Sequence, residues 1–341
     1  MTETLHRVTF NFSDGICHEI EVEHGQNILE KALEAELPLL YQCRSGSCSS
    51  CTAFLSEGEA HTHSGASSTL LASEYKAGQR LLCVCEPHSS CTFNLPYTSN
   101  IAGSDIQEVH AFVDSIEYIA CNVVKITVEL ADGYWVEFRS GQFFQIEVPG
   151  VGTVRSYSPA STNKDLPYLT FLIRILPEGV MSDYIRNHLL EGDVLKMTGA
   201  YGAFFLREEY HRQPHIFIAG GTGLAPVFSM IETLRNKSGK KPPILLIFGC
   251  ATPEYLFYVD EIELLQQWLP SLEVRIVVDQ YPTEGLYHGS PVSVLNEMDV
   301  MPNSVAYLCG PPGMMNAATE KLISFGINSD NVYSEQFVSS K

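Results

Sequence analysis

Four cysteines in the first quarter of the chain have the residue type and spacing of metal ligands. Cys43, Cys48 and Cys51 are separated by four and then two residues, and Cys83 or Cys85 supplies a fourth thiol about thirty residues later. Soft thiolates in a C-x4-C-x2-C pattern with a distant fourth Cys are the ligands of a [2Fe–2S] cluster. Small residues between them, including Gly46, let backbone N–H groups approach the cluster sulfurs. The spacing therefore predicts a [2Fe–2S] site.

Other metal chemistries fit these residues less well. Four thiolates could bind zinc, but zinc sites usually pair two C-x2-4-C knuckles, and the second knuckle is missing. Plain buried thiols are a further interpretation. His61 and His63 could suggest a Rieske centre, but the sequence lacks the paired Cys-x-His spacing. We therefore expect these two histidines in a solvated loop.

Length and composition limit the class of protein. A chain of 341 residues with 45% hydrophobic residues suits two or three domains. No apolar run approaches the ~20 residues of a membrane span, and the first residues lack the plan of a signal peptide. We expect a cytoplasmic protein without a membrane association, in which the ten cysteines stay reduced.

The charge limits the possible partners. A formal net charge of −19 excludes an ordinary nucleic-acid binder. Residues 1–98 hold 12 acidic and 5 basic side chains, a balance of −7 in the segment that carries the four cysteines. An acidic face would steer this segment to a basic protein partner through transient, salt-sensitive docking. The alternative is that the acidity only keeps the protein in solution.

Residues 1–98 form the first predicted domain. Alternating apolar residues in 8–12 and 16–22 predict a β-hairpin, and Asn27 predicts the start of a helix. Residues 96–104 lack periodicity and predict a linker. The cysteine segment resembles plant-type ferredoxins, which carry C-R-x-G-x-C-S-S-C and then a Leu-rich strand that ends in Cys, with Pro four residues later. The resemblance implies a β-grasp fold, Cys83 (before Pro87) as the fourth ligand, and Cys85 as a spectator.

Residues 104–208 form the second predicted domain, a closed antiparallel barrel. Strand patterns cover 108–116, 123–130, 143–148 and 168–175. Arg155, Tyr157 and Ser158 offer a cation, a ring and a hydroxyl, which is the mixture that a flavin needs. A strand then runs into Gly179 and a helix start near Ser182, as a pyrophosphate site requires. This favours FAD over FMN.

Residues 209–341 form the third predicted domain. The strand 215–219 runs directly into a glycine-rich turn whose backbone can approach a pyrophosphate. The turn lacks the third Gly of the usual dinucleotide fingerprint and the Gly-Lys of a Walker loop. Further buried strands at 244–248, 274–278 and 305–308 predict a doubly wound parallel sheet. The residues of the turn that we expect to bind the nucleotide are Gly220, Gly221, Thr222, Gly223 and Pro226.

These motifs together resemble the ferredoxin–NADP reductase superfamily. The shared motifs are R-x-Y-S, the Gly-Ser helix start, G-D-x-L-x-x-x-G-P-x-G, G-G-T-G-x-A-P, C-G-P-x-x-M and an acid-x-aromatic ending. In the G-D-x-L-x-x-x-G-P-x-G motif, this chain has Ala200 in place of the usual Pro. The resemblance implies catalytic roles for Ser158, Cys309 and Glu335. It places Cys309 and Gly310 at the nicotinamide, opposite Ser158, and stacks the Phe337 ring near the flavin.

The same resemblance bears on the choice of nucleotide. Close relatives often have an Arg where this chain has Ala251, which removes a candidate partner for a 2′-phosphate. This favours NADH over NADPH, with Asp279 as a candidate ribose partner.

The order of the three domains resembles the reductase components of aromatic-ring-hydroxylating Rieske dioxygenases, such as those for benzoate, and of soluble di-iron monooxygenases. The resemblance implies an NADH:acceptor oxidoreductase of aromatic catabolism, which passes electrons from NADH through FAD and [2Fe–2S] to a separate terminal oxygenase. Two alternatives stay open. One is a reductase for a CDP-6-deoxy-glucoseen dehydratase system, and the other is a redox-sensing carrier whose nucleotide domain only binds.

Overall fold

The chain, taken here from a computed structural model, is described at residues 4–41, 44, 46, 50–66, 68–70, 72–99 and 106–337. It divides into two compact units. The first comprises the residues up to 106 with 201–203, and the second comprises 107–200 with 204 onward. None of the helices in these described ranges is long and apolar enough to cross a membrane.

The first unit is a mixed sheet holding one helix, as in the β-grasp plan. The strand order is β2-β1-β7-β3-β5, in which β1 and β7 are parallel and the other pairs are antiparallel. Asn27 caps α1 by accepting a hydrogen bond of 3.0 Å from the Glu30 N–H. The elements are β1 (Leu5–Asn11), β2 (Cys17–Glu23), α1 (Ile28–Glu34), β3 (Thr52–Glu57), β4 (Ala60–Thr62), α2 (Ala72–Lys76), β5 (Gln79–Leu81), β6 (Cys85–Pro87) and β7 (Cys91–Asn94).

The second unit begins with an antiparallel barrel. Its six strands have the order β11-β10-β13-β8-β9-β12, and a bridge between Pro159 and Phe171 joins the two ends of this series. Phe144 and Phe171 are fully buried in the barrel core, where alternate residues of each strand point inward. The elements are β8 (Gln107–Ala120), β9 (Val123–Leu130), β10 (Phe143–Val148), β11 (Thr153–Tyr157), β12 (Tyr168–Arg174), α3 (Val180–Asn187) and β13 (Val194–Tyr201).

The rest of the second unit is a six-stranded parallel sheet with the order β17-β16-β15-β14-β18-β19. Strand order reverses beside β14, so the carboxyl ends of β14 and β18 lie at the switch point where such sheets bind ligands. The predicted fold class is confirmed. The elements are β14 (His215–Gly220), α4 (Leu224–Asn236), β15 (Ile244–Cys250), α5 (Val259–Trp268), β16 (Leu272–Val278), β17 (Tyr287–His288), β18 (Val305–Gly310), α6 (Pro312–Ser324) and β19 (Val332–Gln336).

Candidate functional site

Glycines bring the carboxyl ends of β14 and β18 into backbone contact. A Cβ on Gly223 would lie 2.3 Å from the Cys309 carbonyl oxygen, and one on Gly310 would lie 3.1 Å from the Gly220 nitrogen. Gly221 adopts a φ of 55°. Helix α4 starts immediately after this turn, and no side chain caps its first N–H groups. Thr222 lies in the turn and Pro226 in the first turn of α4, so the predicted nucleotide residues are grouped around the start of a helix that no side chain caps.

Cys309 and Glu335 face each other at the edge of this turn. They are partners in the parallel pairing of β18 and β19, and both are buried. Burial raises the pKa of the Glu335 carboxyl to about 8, and burial with the Glu335 charge raises the pKa of the Cys309 thiol well above its usual value. Among the described residues, Glu335 Oε2 has no hydrogen-bond partner. The N–H of Phe337 donates to the Gly310 carbonyl at 3.1 Å, which ties the backbone at Phe337 to the end of β18.

Ser158 is the candidate catalytic residue of the barrel. It directly follows β11, its side chain is buried, and its Oγ has no hydrogen-bond partner within the described residues. Tyr157 and Arg155 precede it on β11, and burial raises the pKa of the Tyr157 hydroxyl. Ala160, two residues further on, packs in the same core as Cys309. Ser158 therefore lies two residues from a core that the barrel shares with Cys309, and its action together with the nucleotide residues stays a prediction.

Gly179 and Ser182 form the start of α3, as the sequence predicts. Gly179 is the N-cap residue, and a Cβ there would lie 2.9 Å from Ser182 Oγ. Ser182 Oγ accepts a hydrogen bond of 2.9 Å from the Leu176 N–H, so this side chain shapes the preceding loop. No side chain caps the start of α3, and contact of both residues with a flavin pyrophosphate stays a prediction.

Two residues beside the nucleotide turn were missed by sequence reasoning. Cys250 ends β15, and its sulfur accepts a hydrogen bond from the Gly221 N–H and donates one of 3.2 Å to the Tyr255 carbonyl. Burial raises the pKa of this thiol to about 12, while the charge of Arg174 opposes the rise. Arg174, the last residue of β12, thus places a cation near the turn. A charge at the end of an otherwise apolar strand was the signal available.

Two of the four predicted iron ligands are described, and they are adjacent. Cys51 and Cys83 are both buried, and the Cys83 N–H donates to Cys51 Sγ at 3.4 Å. Asn27 Nδ2 donates to the Cys83 carbonyl at 2.6 Å, which ties this segment to α1. N–H donation to a cysteine sulfur suits thiolates that bind an iron–sulfur cluster. Cys43 and Cys48 lie outside the described residues, so the complete ligand set stays a prediction.

The neighbouring thiol and the two nearby histidines have other environments. Burial raises the pKa of Cys85 to about 12, and its role as a spectator beside Cys83 stays a prediction. The solvated loop expected for His61 and His63 is wrong in part, because His61 lies in strand β4, which pairs with β6. His63 Nδ1 is 2.7 Å from Glu86 Oε2, and Glu86 Oε1 is 3.1 Å from His88 Nε2. These side chains form a polar surface network.

Comparison with known proteins divides the chain into the same three parts. A 2Fe-2S iron-sulfur cluster binding domain matches residues 11–88, an oxidoreductase FAD-binding domain matches 110–206, and an oxidoreductase NAD-binding domain matches 217–320. The chain is 30% identical over 344 residues to the reductase component of propane 2-monooxygenase from Rhodococcus jostii, covering 98% of this chain and 92% of that protein. The chain belongs to the family of oxygenase reductase components.

This reductase is similar to components of both monooxygenase and dioxygenase systems. It is 29% identical over 343 residues to the toluate 1,2-dioxygenase electron transfer component of Pseudomonas putida, covering 98% of this chain and 99% of that one. Among solved structures, it resembles the Amycolatopsis cytochrome P450 reductase GcoB, with 25% identity, a TM-score of 0.71 and coverage of 97% and 98%. The predicted [2Fe–2S], FAD and NAD chemistry and the electron-transfer function are confirmed at the level of the family.

Proposed function

We propose that this reductase takes electrons from NADH and delivers them, through FAD and a [2Fe–2S] cluster, to a separate terminal oxygenase. The observation that carries the proposal is the pairing of Cys309 with Glu335 beside a glycine turn, together with polar atoms of Ser158 and Glu335 that are buried and unpartnered among the described residues. We propose domain limits of 1–98 for the ferredoxin part, 104–208 for the flavin barrel and 209–341 for the nucleotide part.

The residues present fit the cofactors that the family implies. When bound, a flavin accepts a hydride from the nicotinamide and gives up electrons singly, as an iron–sulfur cluster requires. Arg155, Tyr157 and the α3 N-terminus would hold the flavin, and the buried Ser158 hydroxyl would donate to its polar edge. Cys51 and Cys83, with Cys43 and Cys48, would hold the cluster.

The nucleotide would lie across the turn that follows β14. The glycine turn and the uncapped start of α4 suit its pyrophosphate, and Arg174 adds a positive charge nearby. Asp279 directly follows β16, and its N–H donates to the Cys250 carbonyl at 3.2 Å. A carboxylate here would accept from a ribose hydroxyl and repel a 2′-phosphate. With Ala251 beside it, this arrangement supports NADH over NADPH.

Residues at the nicotinamide position keep the site dry and hold a proton. The Cys309 thiol is fully buried and stays neutral, because burial and Glu335 both raise its pKa. Glu335 carries its proton at neutral pH, since its pKa is raised to about 8. Phe337, held by the Gly310 carbonyl, is partly exposed and would cover the flavin until a nicotinamide displaces it.

The partner would be an oxygenase that docks on the acidic first unit. Residues 1–98 carry a balance of −7, and exposed opposite charges mainly affect the rate of association. We expect added salt to slow electron delivery to a Rieske or di-iron oxygenase while the flavin is still reduced by NADH at the same rate. Delivery that is independent of salt would mean that the acidity serves solubility. We place the protein in the cytoplasm, with neither membrane nor nucleic acid as a partner.

An anaerobic NADH titration followed in the visible range tests the proposed function. We expect NADH to bleach the flavin and then reduce the cluster, with FAD as the released flavin and NADPH much less effective. A parallel titration of each candidate oxygenase, Rieske and di-iron, identifies the acceptor. Binding of NADH without any bleaching would contradict the proposal and favour a redox-sensing carrier.

A further inference from the structure

A chain of hydroxyl groups fastens helix α4 to the flavin barrel. Ser229 Oγ lies 2.6 Å from the Ser161 carbonyl oxygen and 2.9 Å from Ser140 Oγ, and Ser140 Oγ lies 2.6 Å from Thr233 Oγ1. Ser229 and Thr233 are one turn apart on α4, whereas Ser140 and Ser161 belong to barrel loops. Ser229 is completely buried. The two parts of the second unit are therefore joined by paired polar groups.

The Ser229 hydroxyl is the donor in two of these bonds. A carbonyl oxygen only accepts and each hydroxyl has one proton, so Ser229 must donate to Ser161. Ser229 Oγ is also oriented as the donor toward Ser140 Oγ, so its one proton is shared between two acceptors, and either hydroxyl can donate in the bond between Ser140 and Thr233. Removal of the Ser229 hydroxyl would leave the partly buried Ser161 carbonyl without this donor. Such a loss is more costly than the loss of an exposed hydrogen bond.

The hydroxyl chain links the two sides of the candidate reaction centre. Ser161 lies three residues after Ser158, and its Oγ accepts a hydrogen bond of 3.0 Å from the Thr170 N–H, which fixes this loop to β12. At the other side, α4 begins at Gly223, which is in contact with the Cys309 carbonyl. Ser229 therefore connects the loop that carries Ser158 to the helix that starts beside Cys309.

Close packing makes this connection stiff. Gly141, next to Ser140, has a φ of 108°, and a Cβ there would lie 2.3 Å from Met230 Cε and 2.5 Å from the Phe204 carbonyl oxygen. The barrel loop thus lies directly against α4. A helix held by both packing and hydrogen bonds has little freedom to slide relative to the barrel.

We propose that Ser229 is a positioning residue for hydride transfer, which fixes the distance between the nucleotide held at the start of α4 beside Cys309 and the flavin beside Ser158. The inference rests on the proposed function. Hydride transfer requires the reacting atoms to be about 3–3.5 Å apart, and a shift of about 1 Å can reduce the rate about 100-fold. Ser229 touches neither ring, and it acts by holding the two supports together.

Single-turnover reduction of the FAD-loaded holoenzyme by NADH tests the proposal with Ser229→Ala. We expect the limiting rate of flavin reduction to fall about tenfold, because the two rings are no longer held at the best distance. The Kd for NADH should stay within about twofold, since the nucleotide turn is intact. The long-wavelength charge-transfer absorbance of the stacked rings should weaken in parallel with the rate.

A matched control comes from the other end of the same helix. Lys164 Nζ donates to the Asn236 carbonyl at 3.4 Å, an exposed contact between barrel and α4. Lys164→Met should leave both rate and absorbance band unchanged. If Ser229→Ala melts at a lower temperature but keeps the original rate and band, Ser229 is only structural and the proposal is overturned.

A second variant decides the case if Ser229→Ala does not fold. Ser140→Ala keeps the bond from Ser229 to Ser161 but removes the hydroxyl behind it, so we expect a smaller loss of about threefold in the rate. No loss in this variant would overturn the proposal. Failure of the proposed function itself would look different, because the unsubstituted protein would then show no flavin reduction by NADH.

Discussion

Two buried polar clusters in the second unit differ in how completely they are paired. Around Arg275, Nε and Nη2 bind Glu273 Oε1 at 2.9 and 2.7 Å, and Nη1 and Nη2 bind the two oxygens of Asp299 at 2.7 Å each. Nη1 also donates to the Val294 carbonyl at 2.7 Å, which uses all five N–H groups. At Glu335, beside Cys309, and at Ser158, by contrast, Oε2 and Oγ have no partner among the described residues.

The difference separates a structural cluster from a chemical one. An unpaired buried polar atom destabilises a fold, so proteins rarely keep one without a use for it. The Arg275 cluster stabilises the sheet on which the nucleotide residues lie, whereas the unpartnered atoms of Ser158 and Glu335 are available to a ligand. Substitutions in the two clusters should therefore have opposite signatures, in stability at the first and in reaction rate at the second.

The largest effect is expected for Asp299→Ala. It would leave the mostly buried Arg275 guanidinium without its bidentate partner, and breaking such a pair destabilises a protein by about 3 kcal/mol. Denaturant unfolding measures this loss, and flavin reduction by the remaining folded protein should be normal. Glu273→Ala is the control, because Glu273 is 61% exposed and its loss should change stability by less than about 1 kcal/mol. Equal losses for the two variants would contradict a special structural role for the Asp299 pair.

The opposite signature is expected for Ser158→Ala. Its Oγ has no partner to lose within the described residues, so the free energy of unfolding should change by less than about 0.5 kcal/mol. The rate of flavin reduction by NADH should fall about 10- to 100-fold, as for loss of a hydrogen-bond donor at a reacting group. Stopped-flow and unfolding measurements on the same preparation test both halves. A stability loss with an unchanged rate would assign Ser158 to the structure.

The smallest effect is expected in the pH dependence of stability for Glu335→Gln. The folded pKa is raised to about 8 from a usual value of 4.5, so the folded protein keeps a proton that the unfolded chain releases. This contribution is full below the unfolded pKa and is lost as the pH rises through the folded value. The amide of the variant cannot titrate. Between about pH 6 and pH 8, the free energy of unfolding of the variant should therefore fall by about 1–2 kcal/mol less than that of the natural protein. Melting temperatures across this range measure the difference, and parallel curves would show that the Glu335 carboxyl does not titrate as a buried group.

Local motifs explain what the sequence could predict. The turn at Gly220–Gly223 and the Cys309–Gly310 turn follow apolar strands directly, so both could be placed at one sheet edge from the sequence alone. Arg174 and Cys250 come near each other only because β12 and β15 approach the same turn. The sequence of neither strand indicates that the other strand lies nearby. The three-residue strand containing His61 is too short for a periodic pattern, and its pairing with β6 decides its place. In the sequence, Ser229 cannot be told from any other small residue in a helix. Its hydrogen-bond partners, Ser140 and Ser161, are known only from the structure.

The central claim is that paired electrons enter at the nucleotide site and leave singly through iron held by Cys83. Cys83→Ser, compared with Cys85→Ser, tests it by anaerobic addition of NADH with the flavin followed in the visible range and the reduced cluster followed by electron paramagnetic resonance. We predict that Cys83→Ser still bleaches its flavin but gives no cluster signal, while Cys85→Ser retains both. A normal cluster signal in Cys83→Ser would contradict the account.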